Sequence, residues 1–158
     1  MENCTQGKIL RSEQRVNGFT MQQVFKLYAY LVAYEDSGIQ NYKSIKALLK
    51  EHPELEDLSE RLKVVKCNKS DANQMKDVNF KALNNEIYFT KSKNNLFSFL
   101  SHLRNSIAHG NSMGYKGKIL ITDFENPKYH HPTNFSARGC VDFKIIEEFT
   151  NTLKLIEL

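Results

Sequence analysis

Tryptophan is absent from the 158 residues, and cysteine and proline occur only three times each. Cys4, Cys67 and Cys140 are odd in number, widely separated and never in a C-x-x-C pair. Neither a disulfide framework nor a cysteine zinc site is expected, and reduced thiols fit a cytosolic home. No apolar run approaches the roughly eighteen residues of a membrane span. The opening "MENCTQGKILRSEQRVNG" carries charge and amide throughout and lacks the apolar core of a signal peptide. Repeats and low-complexity tracts are also missing. What remains is a chain of one-domain length with 41% hydrophobic residues, enough to build a core. The expectation is a single domain over residues 1–158, with residues 1–18 a loosely ordered leading segment.

Neither sign of charge dominates. The net charge of +4 permits contact with an anionic polymer without requiring it. Lys43, Lys46, Lys50, Lys63, Lys66 and Lys69 are scattered, the pattern of solvated helix faces rather than of a binding stripe.

The elements are legible from caps and periods. Thr20 and Gln23 stand at capping-box spacing, with Phe19 and Val24 at staple spacing, so a long helix begins at Thr20 and runs through Val24, Leu27, Tyr28, Leu31 and Val32 to "EDSG". Pro53 splits the next stretch into two helical pieces, one burying Ile45, Leu48 and Leu49, the other Leu55, Leu58, Leu62 and Val65. The stretch "CNKSDANQMKDVN" reads as a loop, and Phe80, Leu83, Ile87 and Tyr88 as a short helix. Ser92 is the expected cap of a helix carrying Leu96, Leu100, Leu103 and Ile107, stopped by Gly110. The β-branched run from Ile119 to Thr122 predicts one hairpin with a long polar connection. Asp142 then caps a last helix with Ile146, Phe149, Leu153 and Ile156 facing inward. The fold class is mainly α: a helical bundle with one small β-hairpin before the C-terminal helix.

The stretch that carries chemistry is "SHLRNSIAHGN", residues 101–111. His102, Asn105, Ser106 and His109 fall at i, i+3, i+4 and i+7, forming one polar line opposite the leucines. Arg104 points elsewhere. Five residues separate it from His109, so on a straight helix the two side chains diverge by about 140° and rise about 7.5 Å. One reading is a plain helix end, with His109 bonding the last carbonyls. The other is a phosphodiester site, since arginine binds phosphate bidentately and histidine moves protons near neutrality. In the second reading the two residues meet through a long guanidinium arm or through a second copy of the helix about a twofold axis.

"LRNSIAHG" resembles the R-x4-H signature of the HEPN superfamily (higher eukaryotes and prokaryotes nucleotide-binding domain), and the order of elements from Phe19 onward is similar to a subfamily known from plasmid-borne bacterial reading frames. The resemblance implies a HEPN-like helical bundle acting as a cytoplasmic, metal-independent endoribonuclease. In that family the RNA 2′-hydroxyl is the nucleophile, a cyclic phosphate is the product, and dimerisation runs through the motif helix. Carried onto this chain, Arg104 holds the scissile phosphate, His109 transfers a proton and Asn105 orients the site, with His102 and Ser106 as neighbours. No cofactor or metal is implied, and the setting is toxin–antitoxin or phage defence. The family also contains members without nuclease activity. A non-catalytic helical dimer that binds RNA, nucleotide or a protein partner therefore stays open, as does an antitoxin or neighbouring-gene partner.

Other candidates are weaker. The adjacent His130 and His131 of "KYHHP" have no carboxylate or cysteine at a familiar ligand spacing. Asp123 and Glu125 read as turn stabilisers. Lys116, Lys118 and Arg138, on or beside the hairpin, are candidates to guide RNA, with a solvated hairpin edge as the competing reading.

Overall fold

The structure is a computed structural model that describes residues 15–42, 44–67, 75, 78–90, 94–125 and 135–156. It opens with a two-strand hairpin, β1 (Arg15–Val16) and β2 (Phe19–Thr20), and runs directly into α1 (Met21–Ser37). The expected capping box is present. Thr20 Oγ1 accepts the Gln23 amide at 3.2 Å while the Thr20 amide donates to Gln23 Oε1 at 3.0 Å. Gly38, left-handed at φ 59°, ends the helix.

Pro53 divides α2 (Ile45–Glu51) from α3 (Pro53–Glu60) by taking the first position of the second piece. The helical reading does not extend to Leu62 and Val65. There the chain turns into a strand, β3 (Lys63–Lys66), because Val64 and Val65 pair in parallel with Ile87 and Tyr88 of β4 (Glu86–Phe89). The expected short helix at Phe80–Tyr88 is likewise corrected: only a 3₁₀ turn forms at Phe80–Ala82, and the rest is β4. Two neighbouring strands override a helical spacing that was only four residues deep.

The motif helix is α4 (Asn95–Ala108). Ser92 lies outside the described residues; the cap is Asn94, whose Oδ1 accepts the amides of Leu96 at 2.9 Å and Phe97 at 3.2 Å. The hairpin that follows pairs β5 (Met113–Tyr115) with β6 (Lys118–Phe124), and β7 (Phe135–Asp142) leads into α5 (Phe143–Leu153). Asp142 is at the cap position of α5 but makes no capping bond. Its carboxylate accepts from Asn85 Nδ2 at 3.1 Å instead.

The hairpin is part of something larger than the sequence implies. Five strands form one sheet in the order β3-β4-β7-β6-β5, antiparallel except for β3 beside β4. Helix still accounts for 53% of the described residues against 25% strand, so the mainly-α description holds in its coarser form. Among the described residues no helix is long and apolar enough to cross a membrane.

The core lies between one sheet face and the helices. Ile119 and Ile121 of β6 face Leu96, Phe99, Leu100 and Leu103 of α4, all buried, and α1 and α5 close the far side. Phe99 and Phe149 lie with ring centroids 5.5 Å apart, and the fully buried Tyr30 donates its hydroxyl to the Leu100 carbonyl at 2.8 Å. Each such side chain contributes about 1.5–3 kcal/mol by burial, so α4 is fixed by its apolar face. The first hairpin docks on β5 through Gly18 and Gly114. A Cβ on Gly18 would lie 2.2 Å from the Gly114 carbonyl oxygen, so this approach requires glycine. On the opposite sheet face a small cluster of Cys67, Met75 and Phe80 covers β4 and β7.

Candidate functional site

The last turns of α4 are held from both sides. Facing the sheet, His102 Nδ1 lies 2.9 Å from Asp123 Oδ2 of β6, with the two side chains only 13% and 7% exposed. The imidazole also packs on Phe89 of β4, centroids 5.5 Å apart. Asn105 Nδ2 donates to the same Asp123 Oδ2 at 3.2 Å, and Asn105 Oδ1 accepts from Arg104 Nη1 at 3.1 Å. On the helix's other flank, Arg104 Nε donates to Glu35 Oε1 of α1 at 3.0 Å. One hydrogen-bonded chain thus runs from Asp123 of β6 through Asn105 and Arg104 to Glu35 of α1, with His102 joined to it at Asp123. Ser106 is fully buried beside it, and its Oγ accepts the Thr122 amide at 3.1 Å.

His109 stands apart. It is the C-cap residue at φ −91°, and Gly110 follows at φ 70°. The Asn111 amide reaches the Ser106 carbonyl at 2.8 Å and the Gly110 amide reaches Ile107 at 3.1 Å, the two bonds of a Schellman closure. That closure fixes the backbone while leaving the imidazole exposed, without a side-chain hydrogen bond or ion pair among the described residues. Four of the five motif residues therefore have partners, and the fifth faces solvent.

Electrostatics near Arg104 are set by its neighbours. Burial pushes the Tyr34 hydroxyl pKa up and Glu35 adds to the rise, against the opposing pull of a Ser101 hydrogen bond and the Arg104 charge. Tyr30 is raised further, by burial first. Both phenols thus stay neutral near pH 7, and among the described residues Glu35 is the carboxylate paired with Arg104.

The three basic residues beside the hairpin have different fates. Arg138 is sandwiched between Phe80 and Phe135, 4.1 and 4.6 Å from their ring centroids, and donates to the Met75 carbonyl at 2.9 Å. Lys118 Nζ donates to the Leu83 carbonyl at 3.1 Å and to Asn84 Oδ1. Lys116, at the β5–β6 turn, is exposed over the Tyr115 ring. His130 and His131 lie outside the described residues. Among those described, no group of three or more His, Cys, Asp or Glu is placed to hold a metal.

A family model described as HEPN pEK499 p136 matches residues 7–154. The chain belongs to this HEPN family. Comparisons with curated proteins and with solved structures find no match. The family match spans α4 and the whole described sheet of this HEPN chain, so the strands that enlarge the expected hairpin lie within the family's extent.

Two residues of the site escaped sequence reasoning. Asp123 does stabilise its turn, since Oδ1 accepts the Phe124 amide at 2.9 Å, but Oδ2 is what braces α4. Its signal was available: Ile119, Ile121 and Asp123 alternate along one strand face, and a carboxylate on a buried face needs donors. Glu35 carried no such signal, being one of several acidic residues and 69 positions from Arg104.

Proposed function

We propose that the chain is a metal-independent endoribonuclease that cuts RNA by attack of a 2′-hydroxyl and works as a homodimer in a toxin–antitoxin or phage-defence setting. The observation that carries this reading is the end of α4 in a HEPN chain, where Arg104 and Asn105 are bonded to each other and a closed helical turn leaves His109 free for a reacting group. Arg104 holds the scissile phosphate, Asn105 fixes one edge of the guanidinium, and His109 moves a proton. In the free chain Glu35 occupies the phosphate's place on Arg104. Both members of that pair are more than a third exposed, 37% and 47%, so the exchange costs little. Lys116 is available to meet RNA phosphates, whereas Lys118 and Arg138 are engaged within the protein.

A five-residue separation on a helix turns Arg104 and His109 about 140° apart, which calls for a second copy. Support comes from α1, where Met21, Phe25, Tyr28 and Val32 form an exposed apolar line at i, i+4, i+7 and i+11, with Phe25 and Tyr28 69% and 66% exposed. The line ends one turn before Glu35, the residue that holds Arg104. A second copy on this stripe brings its own α4 to the motif. The Glu35–Arg104 pair also favours the alternative of a non-catalytic dimer that binds RNA, nucleotide or a protein partner, since the anion-binding group is already neutralised.

The test is RNA incubated with purified protein in EDTA. Cleavage is expected, with loss in both Arg104→Ala and His109→Ala. A double variant as active as the wild type removes the site from the reaction.

A further inference from the structure

We propose that His102, backed by Asp123, is a second proton-transfer group of this site, acting as the general acid opposite His109. The inference rests on the ribonuclease reading above and deepens it. Cleavage by a 2′-hydroxyl needs two proton transfers. As the 2′-O–P bond forms, the hydroxyl proton leaves for a base; as the P–5′-O bond breaks, the departing oxygen takes a proton from an acid. The products are a 2′,3′-cyclic phosphate and a 5′-hydroxyl, with no oxidant or metal consumed. One histidine cannot serve both oxygens in the same step, because they lie on opposite sides of phosphorus.

His102 meets the requirements of the second group. It precedes His109 by seven positions, which on α4 places both within about 20° of one face and about 10.5 Å apart along the axis. Two imidazoles flanking one phosphate must be separated by two hydrogen bonds of about 2.8 Å each plus the O–P–O span, and this spacing accommodates that. Asp123 then fixes which nitrogen is used. A carboxylate only accepts, so at 2.9 Å Nδ1 is the donor and Nε2 is the nitrogen left for a substrate. The assignment is reinforced by Asn105, whose Nδ2 donates to the same Oδ2 while its Oδ1 takes Arg104; only this amide orientation satisfies both partners. Stacking on Phe89 sets the ring plane, and Asp123 supplies the countercharge of an imidazolium. His109, exposed and without a side-chain bond among the described residues, is left as the base.

A brace between α4 and β6 would use the same bonds, so the experiment must separate chemistry from structure. The cut site is mapped with wild-type protein, and the same RNA is then made with a bridging sulfur in place of the 5′-oxygen at that bond, a leaving group that departs without a proton. His102→Gln keeps an amide donor for Asp123. It should lose at least 100-fold on natural RNA and recover most of that loss on the sulfur-bridged RNA, while His109→Gln stays slow on both. Asp123→Asn should follow His102→Gln in a weaker form, which serves if His102→Gln melts early. Equal losses of His102→Gln on the two substrates, or none on either, overturn the proposal while leaving the ribonuclease reading intact. A wild type that cuts neither RNA overturns both.

Discussion

Replacing Glu35 with glutamine removes the carboxylate that is paired with Arg104 among the described residues. The pair is a single Nε–Oε1 contact at 3.0 Å between partly exposed side chains, so its contribution to stability is at the surface scale, under about 1 kcal/mol. The melting temperature of Glu35→Gln should therefore move by no more than a few degrees. An incoming phosphate, by contrast, must first displace a carboxylate of its own sign. Removing that competition should tighten RNA binding by about 0.5–1 kcal/mol, roughly two- to fivefold. The assay is fluorescence anisotropy of a labelled RNA in the cleavage-deficient His109→Ala background, at low salt and again at several-fold higher salt. The gain should shrink as screening increases. Unchanged or weaker binding at low salt would refute the view that Glu35 occupies the phosphate's place on Arg104.

The other consequences are structural. Ser106→Ala leaves the half-buried Thr122 amide without its acceptor at 3.1 Å, which should cost about 1 kcal/mol in denaturant unfolding without changing the oligomer. Phe25→Glu with Tyr28→Glu touches two mostly exposed side chains, so the monomer should stay folded while light scattering shows the dimer mass falling to one chain. A dimer that survives both charges would place the interface elsewhere.

What the sequence disclosed follows the range of the forces involved. The capping box at Thr20, the proline start of α3 and the glycine stop after His109 depend on neighbours a few residues away, and each is legible. The leucine line of α4 is legible because a three-turn amphipathic period has few alternatives. Strands β3 and β4 are not: each is four residues long, and their pairing brings Lys63 beside Glu86 and Glu86 beside Cys140. Nothing local announces a partner so far along the chain. Phe80 and Ile87 share a helical spacing yet end on opposite sides of the sheet, one in the small outer cluster and the other in the main core.

The site divides in the same way. The polar line of His102, Asn105, Ser106 and His109 was visible as a pattern, but its meaning depends on β6. Three of the four bond to Asp123 and Thr122, with His102 and Asn105 half-buried and Ser106 buried, while His109 is exposed. Helical geometry alone predicts that Arg104 and His109 diverge; the structure pairs Arg104 with Glu35 of α1 and leaves His109 exposed.

The most direct measurement is the chemistry of the cut ends. RNA treated with the wild-type chain in EDTA, then separated and tested for end groups, is expected to carry a 2′,3′-cyclic phosphate on one fragment and a 5′-hydroxyl on the other, with neither produced by Arg104→Ala or His109→Ala. Intact RNA with the wild type, or the same ends at undiminished rate with both variants, would contradict the assignment of this helix end as a ribonuclease site.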